Sequence, residues 1–128
     1  MNSFDLFGTL IAGAACDTPD GDQEHHFTIA ENIAKVQPGD IVISDYYDQA
    51  KALRLLRDVA GLSNKLIVTE DGKASGRIWQ TIRPDSHLGD NPHRDVDSPR
   101  RAGISANSVL PPAPIESVPD GESRASSR

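Results

Sequence analysis

What the chain lacks narrows its chemistry first. It has one cysteine in 128 residues, Cys16. No internal disulfide is therefore possible, and a reducing, cytoplasmic setting is the simplest expectation. Cys16 stands in a Gly/Ala-rich stretch with no base beside it, which suits an incidental or buried thiol better than a nucleophile. No apolar run approaches the ~20 residues of a membrane-spanning helix, and no basic n-region of a signal peptide opens the sequence. Positive charge is scarce: 13 Lys and Arg face 19 Asp and Glu, for a net charge of -6. With no basic run, this excess of acid weighs against nucleic acid or an anionic membrane as the main partner. Aromatic residues make up 5% of the chain and hydrophobic ones 37%, a composition that still allows one domain with a real core at this length. There is no P-loop, dinucleotide glycine motif, nucleophile elbow or internal repeat. His25, His26, His87 and His93 match no zinc-ligand spacing and read as packing or solvent histidines.

What is present is an alternation of short apolar runs with amphipathic ones. Residues 2–7 read as a first strand that delivers Asp5 to a sharp turn at Gly8-Thr9. Residues 8–22 read as a loop, with Thr18-Pro19-Asp20-Gly21 able to close a small hairpin. A short helix is expected over 29–36, capped by Thr28 with Glu31 and stopped by Pro38-Gly39. Residues 40–44 form a continuous apolar strand. The strongest helical pattern covers 46–60, with Tyr47, Ala50, Leu53, Leu56 and Ala60 on one face and Gly61 as a left-handed end. A buried strand over 65–69, a helix over 76–82, a strand ending at Gly89, a brief helix from Ser98-Pro99 to Ala102 and a last strand near 104–106 complete the series. Strands that alternate with helices and are apolar throughout predict a parallel sheet covered on both faces. From Leu110 onward, Pro111, Pro112, Pro114 and Pro119 with a Ser/Arg/Gly ending predict a disordered tail, 110–128, after a single domain of 1–109.

Two stretches carry the chemistry. One is Phe4-Asp5-Leu6-Phe7-Gly8-Thr9-Leu10, a strand ending in a carboxylate. The other is Gly89-Asp90-Asn91-Pro92-His93-Arg94-Asp95, a second strand end with one carboxylate at once and another five positions on. Carboxylates gathered at strand ends suit a hard divalent cation, and the carboxyl edge of a parallel sheet is where such folds bind ligands.

Together with Ile41-Val42-Ile43-Ser44-Asp45 and Lys73, these stretches resemble the haloacid dehalogenase-like (HAD) hydrolase superfamily, in its branch whose first motif reads Phe-Asp-x-Phe. The resemblance covers residues 3–106. It implies a Rossmann-like three-layer α/β sandwich with a parallel sheet and a minimal cap or none. It further implies Asp5 as nucleophile, Lys73 as the charge-neutralising catalytic lysine, and Ser44 with Asp45 as the phosphate-binding turn. A Mg²⁺ cofactor would be held by Asp5, the carbonyl of Phe7 and Asp90, with Asp95 as a further or outer ligand. Lys65 competes with Lys73 for its role, and Asp97 with Asp95. The implied reaction is phosphoester hydrolysis through an aspartyl-phosphate. Phe7 departs from the phosphatase pattern, which has a second Asp there as general acid. The short interval between the first two motifs leaves no room for a large cap, and such an open site suits a large phosphorylated substrate or an assembly partner. A binding or regulatory module without turnover is the alternative, and carbon–halogen cleavage a third reading.

Overall fold

A computed structural model of the chain describes residues 1–18 and 21–109. The expected turn residues Pro19 and Asp20 and the tail 110–128 lie outside these. In chain order the elements are β1 (Asn2–Phe4), β2 (Ile11–Thr18), β3 (Gly21–Thr28), α1 (Ala30–Ile33), β4 (Ile41–Ser44), α2 (Gln49–Arg54) and β5 (Lys65–Val68). There follow α3 (Gly72–Ser75), α4 (Ile78–Thr81), β6 (Ser86–Gly89), α5 (Ser98–Arg101) and β7 (Ser105–Ser108). Single wide π turns, Leu55–Val59 and Pro92–Asp97, prolong α2 and precede α5. No helix among the described residues is long and apolar enough to cross a membrane.

The expected parallel sheet is present. Five strands run in the order β5-β4-β1-β6-β7, and every pairing among them is parallel. The apolar runs form strands because both faces are covered. Val42 joins Phe4, Leu6, Ala52, Leu55 and Leu56 in one core cluster, while its neighbours Ile41 and Ile43 join Trp79 and Ile104 in another. From β1 the chain builds β4 and β5 to one side, then returns to add β6 and β7 on the other. The crevice between β1 and β6 is therefore the point where strand order reverses.

Several local expectations are corrected. Residues 8–22 are not one loop: residues 11–18 and 21–28 pair as the antiparallel hairpin β2–β3, whose last pair, Thr18 with Gly21, flanks the expected turn, and Cys16 lies on its first strand. Its length, eight residues per strand, explains why Thr28 cannot cap α1: it ends β3, and the cap position falls to Ile29 with no side-chain bond. β1 stops at Phe4, because the Leu6 carbonyl accepts from Leu10 N and Ile11 N and closes a helical turn. β5 is an edge strand and only half-buried, with Lys65 exposed at its start. The helix expected from residue 46 begins at Gln49, where Asp48 caps it by accepting from Lys51 N at 3.0 Å. The following π turn adds a residue to the repeat, so adjacent Leu55 and Leu56 both face the core. Tyr47 and Leu53 are left outside at 81% and 41% exposure. The brief helix expected here is present as α5, but Ser98 is its first residue and not its cap, a position held by Asp97. The Asn91 side-chain Oδ1, accepting from His93 N and Arg94 N, caps the preceding π turn and the chain runs on through Ser98.

This phase gives a direct test. Leu56→Ala, at a fully buried site, should cost about 2–5 kcal/mol in denaturant unfolding. Leu53→Ala should change it by roughly 0.5 kcal/mol. Equal losses would restore the uninterrupted helical face that the spacing suggests.

Candidate active site

The strand ends collect the expected residues at one edge of the sheet. Asp5 follows β1 and Ser44 ends β4, with Asp45 next in the chain. Lys73 lies in α3 just beyond β5, and Asp90 directly follows β6. Asp5, Phe7, Ser44, Asp45, Lys73, Asp90 and Asp95, the full set expected from sequence, line a single cavity of about 440 Å³. Asp5 and Asp90 stand on either side of the β1/β6 crevice.

Glycines set the spacing. Gly8 has φ 82°, and a Cβ there would sit 2.1 Å from Asp90 Oδ2. Gly89 is equally tight, since a Cβ would lie 2.2 Å from Asp95 Cγ. Gly8 thus makes room for the Asp90 carboxylate, and Gly89 for that of Asp95. Gly72 leaves space for the Thr69 side chain, whose Oγ1 accepts from Gly72 N and starts the turn that carries Lys73.

Lys73 is the centre of the cluster. Its side chain is buried, and Nζ donates to Asp5 Oδ1 and to Asp95 Oδ1, both at 2.7 Å. Burial opposes its charge, but the two carboxylates outweigh that and raise its pKa. Lys65, exposed at the opposite end of its strand, cannot take this role. Asp95 is fully buried whereas Asp97 is exposed, which decides between them. Asp95 accepts from Lys73 Nζ, His87 Nε2 and Asn91 N. Although burial alone would raise its pKa, His87 and Lys73 hold it below the usual carboxylate range. Asp5 behaves oppositely. Burial pushes it up to about 8 against the pull of Lys73, helped by the nearby Asp95 charge and a hydrogen bond with Asp90.

Ser44 is buried, and its Oγ accepts from Tyr46 N at 3.1 Å. It ends a strand and does not sit at the start of α2. Asp45 Oδ1 accepts from Lys73 N, while Oδ2 is buried without a hydrogen bond, 3.9 Å from Arg94 Nε. Burial raises the Asp45 pKa against the opposing charge of Lys73. Phe7 packs against Tyr46 with ring centroids 4.6 Å apart.

The sequence reading missed His87. Set down there as a packing histidine, it is buried edge-on to Trp79, and burial lowers its pKa. Neutral His87 donates from Nε2 to Asp95 and accepts from Ser3 Oγ at Nδ1, 2.7 Å away. No spacing rule flags it, because its partners are one strand and one turn away. Arg94 and Asn91, which also line the cavity, were covered only as members of the stretch 89–95.

Asp5, Asp90 and Asp95 each offer an oxygen within 4.8 Å of the others, a span that a hard cation with oxygen ligands at ~2.0–2.6 Å can bridge. All three donors are carboxylate oxygens, a type that such a cation favours. The three donors already on Asp95 make Asp5 and half-exposed Asp90 the more available pair. No protein-family model, curated protein or solved structure matches this chain.

Gly8→Ala and Gly39→Ala form a matched pair, since both glycines have positive φ and only Gly8 has neighbours within 4 Å of the added methyl. Gly39→Ala should lose roughly 1–2 kcal/mol from backbone conformation alone, and Gly8→Ala clearly more, because Asp90 must move. Equal losses in denaturant melts would show that the Asp90 carboxylate is not confined.

The raised Asp5 gives a pH dependence. Between 3.8 and about 8 the unfolded chain has released this proton and the folded chain has not. Stability therefore falls as pH rises through that window. In chelator-treated buffer, Asp5→Asn should make the decline shallower by up to about one proton. An unchanged slope would place the Asp5 pKa near its ordinary value.

Proposed function

We propose that the chain is a HAD-like hydrolase, with a Rossmann-like three-layer core and the β2–β3 hairpin where larger relatives of that type would carry a cap. Its reaction is Mg²⁺-dependent phosphoester hydrolysis through an aspartyl-phosphate at Asp5. The observation that carries this reading is Lys73 Nζ held between Asp5 and Asp95, with Asp90 across the crevice where strand order reverses. The single cysteine supports a cytoplasmic setting.

Bound by Asp5, Asp90 and the Phe7 carbonyl, Mg²⁺ would supply the positive charge that lets a carboxylate approach a phosphoryl group. Lys73, kept cationic by Asp95, lies against the Asp5 oxygen and neutralises charge on the transferring phosphoryl oxygens. Ser44 Oγ accepts from Tyr46 N, which leaves its own hydrogen free to donate to a phosphoryl oxygen. An Asp5 oxygen forms the new bond to phosphorus as the ester oxygen departs. Water then attacks phosphorus, releasing phosphate and the Asp5 carboxylate. Phe7 has no proton to give, so the departing oxygen must leave unprotonated, and good leaving groups are favoured.

The same Phe7 favours a second reading, a binding module that keeps the fold and a cation without turnover. A phosphatase screen separates the two. Aryl phosphates should be cleaved with Mg²⁺, much faster than alkyl phosphates, and activity should vanish in Asp5→Asn and on chelation. Phe7→Asp should help alkyl phosphates selectively, by up to about 10²–10⁴. Absence of turnover, with saturable Mg²⁺ binding that Asp90→Asn abolishes, would assign the binding module instead.

A further inference from the structure

Aromatic residues are few in this chain, yet three of its six, including both tyrosines, line the cavity that holds Asp5 and Lys73. Their rings follow one another outward. Phe7 and Tyr46 have centroids 4.6 Å apart, and Tyr46 and Tyr47 4.7 Å, each pair tilted by 40–46°. The series starts at the turn behind Asp5 and ends in Tyr47, the most exposed large hydrophobic side chain among the described residues. Nothing in the core uses this ring. The Asp48 cap starts α2 after it, so Tyr47 belongs to a short segment between Ser44 and the helix, beside the bonds that fix Asp45 and Tyr46. Lys51, one turn into α2, lies with Nζ 5.9 Å from the Tyr46 ring centroid and helps fix that ring.

The geometry points to an aryl phosphate monoester as the substrate class, with the phosphoryl group between Asp5 and Lys73 and the aromatic ring on the Tyr46–Tyr47 shelf. This rests on the phosphoester reading of the site and narrows it. Two separate features lead to the same class. The residue two positions after Asp5 cannot protonate a departing alkoxide, whereas an aryl oxide leaves without a proton. Among the described residues, the apolar side chains that line the cavity are all aromatic, Phe7, Tyr46 and Tyr47, which suits a ring in offset or tilted contact.

The test separates the ring from the leaving group. Phenyl phosphate offers both, and acetyl phosphate offers a good leaving group with no ring. Tyr47→Ala should lower kcat/KM for phenyl phosphate relative to acetyl phosphate by about 2- to 12-fold, the size of one aromatic contact. Tyr47→Phe should restore the ratio. A ratio unchanged in Tyr47→Ala would overturn the shelf while leaving the hydrolase standing. Binding of phenylphosphonate against methylphosphonate, measured by calorimetry with Mg²⁺, judges the shelf without turnover. A preference for the phenyl compound that Tyr47→Ala removes supports it even if no ester is hydrolysed; equal affinities, or no binding of either, count against it. Replacing phenyl phosphate by a phosphotyrosine peptide tells a protein side chain from a free aryl ester as the source of the ring. A lower KM for the peptide assigns the former and an equal or higher one the latter, and the ring preference stands in both cases.

Discussion

The ammonium of Lys73 is the interaction on which the rest of the site depends. An isolated cation with 1% exposure would be strongly disfavoured, and two carboxylates offset that. The arrangement is also held from behind. Ser98 Oγ donates to the Lys73 carbonyl and accepts from Trp79 Nε1, so main chain and side chain of the lysine are fixed by different elements. Because Asp5 follows the central strand and Asp95 follows β6, satisfying this one cation fixes the relative placement of three strand ends. Removing it would leave Asp95 a buried carboxylate with only His87 and Asn91 N to hold it, and breaking such a group is more damaging than the pair is stabilising.

Beyond the lysine, one chain of hydrogen bonds runs back into the sheet. Asp5 reaches Asp95 through Lys73, Asp95 reaches His87, and His87 reaches Ser3. The last two face each other across the sheet, since Ser3 and His87 are register partners in β1 and β6. The carboxylates therefore divide by surroundings. Asp95 is surrounded by donors and stays ionised, whereas Asp5 shares its only side-chain cation and faces Asp90. A pair of acids with opposite tendencies is the arrangement that allows one to act while the other holds its neighbour in place.

Much of this was legible in the sequence, for identifiable reasons. Continuous apolar runs such as Ile41-Val42-Ile43 occur where a strand is buried on both faces, and a carboxylate at the end of such a run has few other places to go. Asp5, Ser44, Lys73, Asp90 and Asp95 were found on those grounds together with a resemblance in motif order, and they share a cavity. What was not legible depends on contacts between distant residues or on departures from the regular helical repeat. The π turn at Leu55–Val59 moved the buried face of α2, so Leu55 rather than Leu53 lies inside. The hairpin over 11–28 carries no strong alternation, since Gly13-Ala14-Ala15 and Gln23-Glu24-His25 look like loop in isolation. His87 looked ordinary because its significance lies wholly in what it touches.

The order in which strands are added has a consequence for how the chain is made. The central strand β1 precedes one of its two neighbours, β6, by more than 80 residues, since Asn2 pairs with Ser86. A nascent chain that has emerged only through α3 can form the β5-β4-β1 half of the sheet, with one flank of β1 unpaired and Asp5 facing Lys73 alone. Contacts across more than 80 residues must then close late, which slows folding and leaves an open strand edge while translation continues. During that interval Asp5 lacks Asp90 and Asp95, so the acidic cluster is completed only when the second half of the sheet docks. An incomplete chain would carry Asp5 without the means to position it.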